Sequence, residues 1–145
     1  MEIITLKGDD GAGKTKVITQ IFEELFTQRE IDGAFYVKSE GADNQEFKAL
    51  LKYNGKKIAF CSIGDPADFN EKTKYEHLPS EYILSGLVFA SKNEADVLIN
   101  AYRTQFSEFP ESVYKALLGN NKYSPIPIST QSNLSDVKDQ IIAKL

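Results

Sequence analysis

Only one cysteine, one histidine and one methionine occur in these 145 residues, and tryptophan is missing altogether. A lone thiol, Cys61, forms no internal disulfide and anchors no metal cluster. His77 lies in a polar stretch with no second imidazole to complete a metal site or a catalytic triad, and reads as a surface residue. Arginine is nearly absent, with Arg29 and Arg103 alone. Positive charge is not in excess: the net charge of -4 argues against a general nucleic-acid-binding surface. No apolar run is long enough to cross a membrane, and the opening Met1-Glu2-Ile3 lacks the basic flank of a signal peptide. The expectation is a cytoplasmic protein with a reduced thiol and no membrane partner. What remains is ordinary for a globular chain, 41% hydrophobic and 26% charged, and the length suits one domain over residues 1–145.

Strand-like and helix-like patterns alternate along the chain. Ile3, Ile4 and Leu6 make a short apolar run that stops at Gly8 and reads as a buried strand. From Lys14 to Arg29, Val17, Ile18, Ile21, Phe22, Leu25 and Phe26 recur on one face of a helix. Ala34 to Lys38 reads as a strand. Phe47, Ala49, Leu51 and Tyr53 then alternate up to Asn54-Gly55, a type I′ hairpin signal, and Lys56 to Ile63 returns antiparallel. The returning run is apolar on both faces apart from Ser62, which places it inside the sheet. Ser80 to Ser91 reads as a helix despite Gly86, Val97 to Ala101 as a buried strand, and Ser107 to Leu118 as a helix stopped by Gly119. Ile126 and Ile128, set between prolines, suggest a short edge strand. Asn133 caps a last helix that carries Leu134, Val137, Ile141 and Leu145 on one face. Strands separated by helices imply an α/β fold, a mostly parallel sheet with one antiparallel hairpin strand and helices on both faces.

Between the first strand and the first helix lies Gly8-Asp9-Asp10-Gly11-Ala12-Gly13-Lys14-Thr15, which meets G-x-x-x-x-G-K-[ST] at every fixed position. Glycines let backbone N–H groups turn inward around phosphate oxygens. Lys14 reaches β- and γ-phosphates, Thr15 offers a hydroxyl to Mg2+, and the helix beginning here aims its positive end at the same anion. Gly8, Asp10, Gly11, Ala12, Gly13, Lys14, Thr15 and Lys16 are the candidate nucleotide-binding residues. With a strand before it and a helix after it, the segment resembles the loop of the P-loop NTPase superfamily. The resemblance implies a three-layer sandwich that binds ATP with Mg2+.

A metal-binding acid is expected at the end of a neighbouring buried strand. Asp65, after Ile58 to Ile63, is the candidate; Asp68 competes with it, and either is also an ordinary turn former. Arg103 follows the strand Val97 to Ala101 and is a candidate for transition-state charge beside Lys14, or else a surface arginine. The loop is similar to that of thymidylate kinases, which reads G-x-D-G-x-G-K-T; Asp10, Gly11, Gly13, Lys14 and Thr15 match it. The resemblance implies that Asp10 faces the sugar of an acceptor nucleotide. The D-R-[YF] segment and arginine-rich lid of that family have no counterpart here, so the acceptor stays unassigned. Asp9 and Asp10 also read as solvated loop-tip acids. Asn121-Lys122-Tyr123-Ser124 resembles the guanine-reading N-K-x-D of G proteins, but Ser124 stands where the acid belongs and cannot accept the paired bonds of a guanine edge. ATP is therefore the expected nucleotide. The expected functions are a small phosphotransferase acting on a nucleotide or other small molecule, a slow regulatory NTPase signalling to a protein partner, or a module that holds ATP without turnover.

Overall fold

The computed structural model describes residues 1–9, 11–29, 31, 33–38, 47–62, 79–104 and 111–145; among these, the side chains of 35–38, 79–84, 103, 111 and 113 lie outside the description. The elements run β1 (Glu2–Gly8), α1 (Lys14–Gln28), β2 (Gly33–Lys38), β3 (Phe47–Tyr53), β4 (Lys56–Cys61), α2 (Pro79–Lys92), β5 (Val97–Arg103), α3 (Glu111–Leu118), β6 (Lys122–Pro127) and α4 (Leu134–Ile142). The described strands form one sheet in the order β2-β3-β4-β5-β1-β6. β4, β5, β1 and β6 pair in parallel, while β3 is antiparallel to both of its neighbours. One reversed strand in a mostly parallel sheet is what the hairpin signal implies. Asn54 (φ 50) and Gly55 (φ 73) supply its two positive-φ turn residues.

Alternation along the strands divides the core in two. Ile4, Leu6, Ala49, Leu51, Ile58, Phe60, Val97 and Ile99 face Val17, Ile18, Ile21 and Leu25 of α1 and Ile141 of α4. Ile3, Ala59, Cys61, Leu98 and Tyr102 face Ala90 of α2 and Tyr114 and Leu118 of α3. Helices therefore cover both faces, and β4 is buried on both sides from Ile58 to Cys61. Gly86 brings α2 close to that strand: a Cβ there would stand 3.1 Å from Cys61 Cβ and Sγ. Each fully buried Val, Ile or Leu of α1 contributes about 1.5–3 kcal/mol of transfer free energy.

Some expectations need correcting. Phe26 does not share the buried stripe of α1; it is 50% exposed. At about 100° per residue it sits roughly 120° from the middle of the arc formed by Val17, Ile18, Ile21 and Leu25, and it stacks on Phe22 with centroids 5.7 Å apart. The returning hairpin strand ends at Cys61 rather than Ile63, which lies outside the described residues. Ser62 is buried there, and its hydroxyl accepts from Phe47 N at 2.8 Å. The edge strand β6 is longer than Ile126 and Ile128 alone suggest. At α4 the Asn133 cap is present, its side chain accepting from Asp136 N. α1 and α4 are also joined by an ion pair between Lys138 and Glu24.

Candidate functional site

The segment from Gly8 to Lys14 leaves the C-terminal end of β1 and turns directly into α1. Its first and last glycines are demanded by space. A Cβ on Gly8 would stand 2.3 Å from the Ile128 carbonyl oxygen, so the exit of β6 passes too close for any side chain. Gly13 caps α1 with φ 95, a left-handed conformation, and a Cβ there would meet Leu134 Cδ1 at 2.8 Å. Gly11 also has positive φ, at 74. Between them Ala12 is buried, and its N–H donates to Asp9 O at 3.3 Å.

The lysine closes this loop on itself. Lys14 Nζ donates to Gly8 O at 2.8 Å and to Asp9 O at 2.6 Å. The cap residue Gly13 has no side chain to offer α1, and the first turn of the helix, Lys14 to Val17, carries no acid. The partial positive charge of the helix end is thus directed at the loop without a local carboxylate in that turn to neutralise it. Thr15 is half-buried and Lys16 exposed.

The sheet topology places this loop at a crevice. α1, which follows β1, packs on one face; α3, which follows the adjacent β5, packs on the other. Where two neighbouring parallel strands send their helices to opposite faces, a cleft opens outside their C-terminal ends. Gly8 is level with Arg103 across β1 and β5. One residue on, Thr104 N donates to Gly8 O at 3.2 Å, and Thr104 Oγ1 donates to Asp9 Oδ1 at 2.5 Å. The threonine was not legible in the sequence, because nothing local ties position 104 to position 9.

The other candidates divide as follows. Gly8, Gly11, Ala12, Gly13, Lys14, Thr15 and Lys16 come together in the loop and the first turn of α1. The backbone of Arg103 sits beside Gly8, and its side chain lies outside the described residues. Asp10, Asp65, Asp68 and His77 also lie outside them. The strand that leads toward Asp65 is not next to the loop's strand, contrary to expectation: β5 intervenes, which sets β4 about 10 Å from β1. Local patterns reveal strands but not which strand inserts between which. Among the described residues no group of three or more His, Cys, Asp or Glu side chains is placed to hold a metal. Lys122 and Ser124 of the Asn121–Ser124 segment lie toward the opposite end of β1, level with Glu2 and Ile4 and so roughly 20 Å and 13 Å from Gly8. There both bond Glu2 Oε1, at 3.2 Å and 3.0 Å. Burial pushes the Glu2 carboxyl up, but the bonds from Ser124 and Lys122 outweigh it and leave the group below its ordinary value.

Beneath the crevice, a buried polar cluster joins β1, β5 and α3. Thr5 Oγ1 donates to Asn100 Oδ1 at 2.7 Å and lies 2.8 Å from Tyr114 Oη, which also accepts from Asn100 Nδ2 at 3.0 Å. Tyr114 is fully buried and stacks on Tyr102, centroids 5.3 Å apart. Burial pushes its phenol pKa up, so the group stays a neutral donor and acceptor. No helix among the described residues is long and apolar enough to cross a membrane. No protein-family model matches the chain, and no curated protein is similar to it in sequence.

Proposed function

We propose that Gly8 to Thr15 is a P-loop, that the fold is a P-loop NTPase-like three-layer sandwich, and that the protein binds ATP with Mg2+ at the crevice between β1 and β5. The observation that carries this reading is the arrangement of Lys14. It is the first residue of α1, follows a left-handed Gly13, and folds its ammonium over the carbonyls of Gly8 and Asp9. A cation held at the mouth of a helix whose first turn carries no acid is suited to a polyphosphate. Backbone N–H groups of Gly11 to Lys16 would bind phosphate oxygens, Lys14 would bridge the β- and γ-phosphates, and Thr15 would ligate Mg2+. Asp65, four positions beyond Cys61 in the sequence, would be the second metal group.

Within that reading the protein is a small phosphotransferase whose acceptor is unassigned. Lys14 and Arg103 would offset charge on the transferring phosphoryl group, where position and electrostatics carry most of the rate. The test is titration with Mg-ATP of the wild type and of Lys14→Ala, then ADP release with and without nucleosides, nucleotides and small hydroxylated compounds. Binding lost in Lys14→Ala and ADP release raised by an acceptor are expected. Equal affinity in both proteins would sink the phosphate site.

A second reading, a slow NTPase whose partner completes the site, is favoured by the position of Arg29. This arginine lies just past the far end of α1, bonded to Glu24 at 3.4 Å, so it cannot serve the crevice. Arg103 is then the only arginine the chain has to offer. This reading expects acceptor-independent hydrolysis and a partner that distinguishes the ATP from the ADP form; equal partner affinity for both forms counts against it.

A further inference from the structure

Two separate devices grip the same two residues at the entrance to the loop. Lys14 Nζ holds the carbonyls of Gly8 and Asp9 from the α1 side. Thr104 holds Gly8 O through its backbone N–H and the Asp9 carboxylate through its hydroxyl, from the end of β5. A carbonyl oxygen has two lone pairs, so Gly8 O accepts from both at once. The two grips differ in what a nucleotide does to them. A triphosphate draws the Lys14 ammonium away from the carbonyls; it has no such claim on an uncharged hydroxyl. The Thr104 bond is also charge-assisted, because its acceptor is a carboxylate.

We propose that Thr104 is a positioning residue of the phosphate site, the clamp that keeps Gly8 and Asp9 in place across the crevice when Lys14 leaves them for the phosphates. Asp9, the acid of the loop that neither phosphate-binding pattern calls for, is the handle of that clamp. A loop already held in its binding shape loses less entropy when the ligand arrives, so the clamp acts on affinity without touching the ligand. The inference rests on the nucleotide reading above and assigns a function to an acid that the loop motif leaves unexplained.

The experiment measures Mg-ATP affinity and amide hydrogen exchange of residues 8 to 14 in Thr104→Val, Thr104→Ser, Asp9→Ala and the Asp9→Ala/Thr104→Val double variant. Thr104 and Asp9 are both exposed, so none of these changes opens the core. Thr104→Val should weaken Mg-ATP binding about 5- to 20-fold, by loss of a charge-assisted bond. Thr104→Ser, which restores the hydroxyl, should recover most of that loss. The double variant should be no worse than Asp9→Ala alone, because each change removes the same contact. Loop amides of Thr104→Val should exchange faster without nucleotide, at an unchanged melting temperature. Wild-type affinity in Thr104→Val, or additive single losses, would overturn the clamp. A wild-type protein that binds no Mg-ATP overturns the phosphate site and with it the clamp's role in binding; the exchange data then decide independently whether Thr104 anchors the loop.

Discussion

The two faces of the sheet are sealed by different chemistry. Toward α1 and α4 the described buried surface is apolar apart from Ser62, whose hydroxyl bonds Phe47 at the end of β4, and the helix that begins at the loop is seated by burial and by the close approach of Leu134 to Gly13. Toward α3 the core contains Thr5, Asn100 and Tyr114, each fully or nearly buried and each bonded to the other two. Apolar burial is strong but tolerant of small shifts, whereas buried hydrogen bonds accept one geometry and penalise all others. The wall of the crevice that carries the loop is therefore held by mass of contact. The opposite wall, built from β5 and α3, is held in register by three directional side chains.

Substitutions can break this contrast in order of size. Ile21→Ala, at the centre of the apolar face, should cost about 2–5 kcal/mol of stability, read by urea denaturation. A loss under about 1 kcal/mol would mean that α1 is seated by something other than burial. Lys14→Ala should leave stability within about 0.5 kcal/mol and lower Mg-ATP affinity by about 100-fold or more, close to 3 kcal/mol. A parallel loss of both would show that the lysine is a structural brace. On the polar face, Asn100→Ala should cost about 1–3 kcal/mol by stranding Thr5 and Tyr114. The triple change Thr5→Val, Asn100→Leu, Tyr114→Phe should cost less than Asn100→Ala alone, because no polar group is left without a partner. If the triple variant is the worse of the two, the cluster is a packing unit and the contrast between the faces disappears.

The smallest effect belongs to the seam between α1 and α4. The Lys138 ammonium holds the Glu24 carboxyl below its ordinary value of 4.5, and Glu24 in turn raises Lys138. A lowered carboxyl contributes stability above its unfolded value and loses it as pH falls through the folded one. Lys138→Met should therefore lower the melting temperature by about 1–2 °C at pH 7. The gap should close as the pH drops below the ordinary carboxylate value and should shrink in high salt. A gap that persists in acid would point to the aliphatic stem of Lys138 rather than to its charge.

Much of the architecture on the α1 side is legible locally. Asn54-Gly55 announces the hairpin, the spacing of Val17, Ile18, Ile21 and Leu25 announces α1, and Asn133 announces the start of α4. These signals depend on residues a few positions apart. The polar face is not legible in that way, since Thr5 meets Asn100 across 95 residues and Tyr114 across 109. The same reason hides β5 between β1 and β4, and hides Thr104 beside Asp9. The glycines and Lys14 of the loop could be read because one short segment supplies both the turn and the charge. The crevice at which they sit is a property of strand order, which no local pattern records.

β6 lies at the margin of the sheet and is bound to β1 through its even-numbered amides, as Lys122 N donating to Met1 O and Ile128 N donating to Lys7 O show. The amides that would look outward belong to the odd-numbered residues, and two of these, Pro125 and Pro127, have no N–H to give. A strand from another molecule that tried to dock there would find its carbonyls facing a row with donors removed. Among the described strands, the edge beside β1 therefore offers few donors to a strand from another molecule, which disfavours sheet extension on the flank nearest the loop.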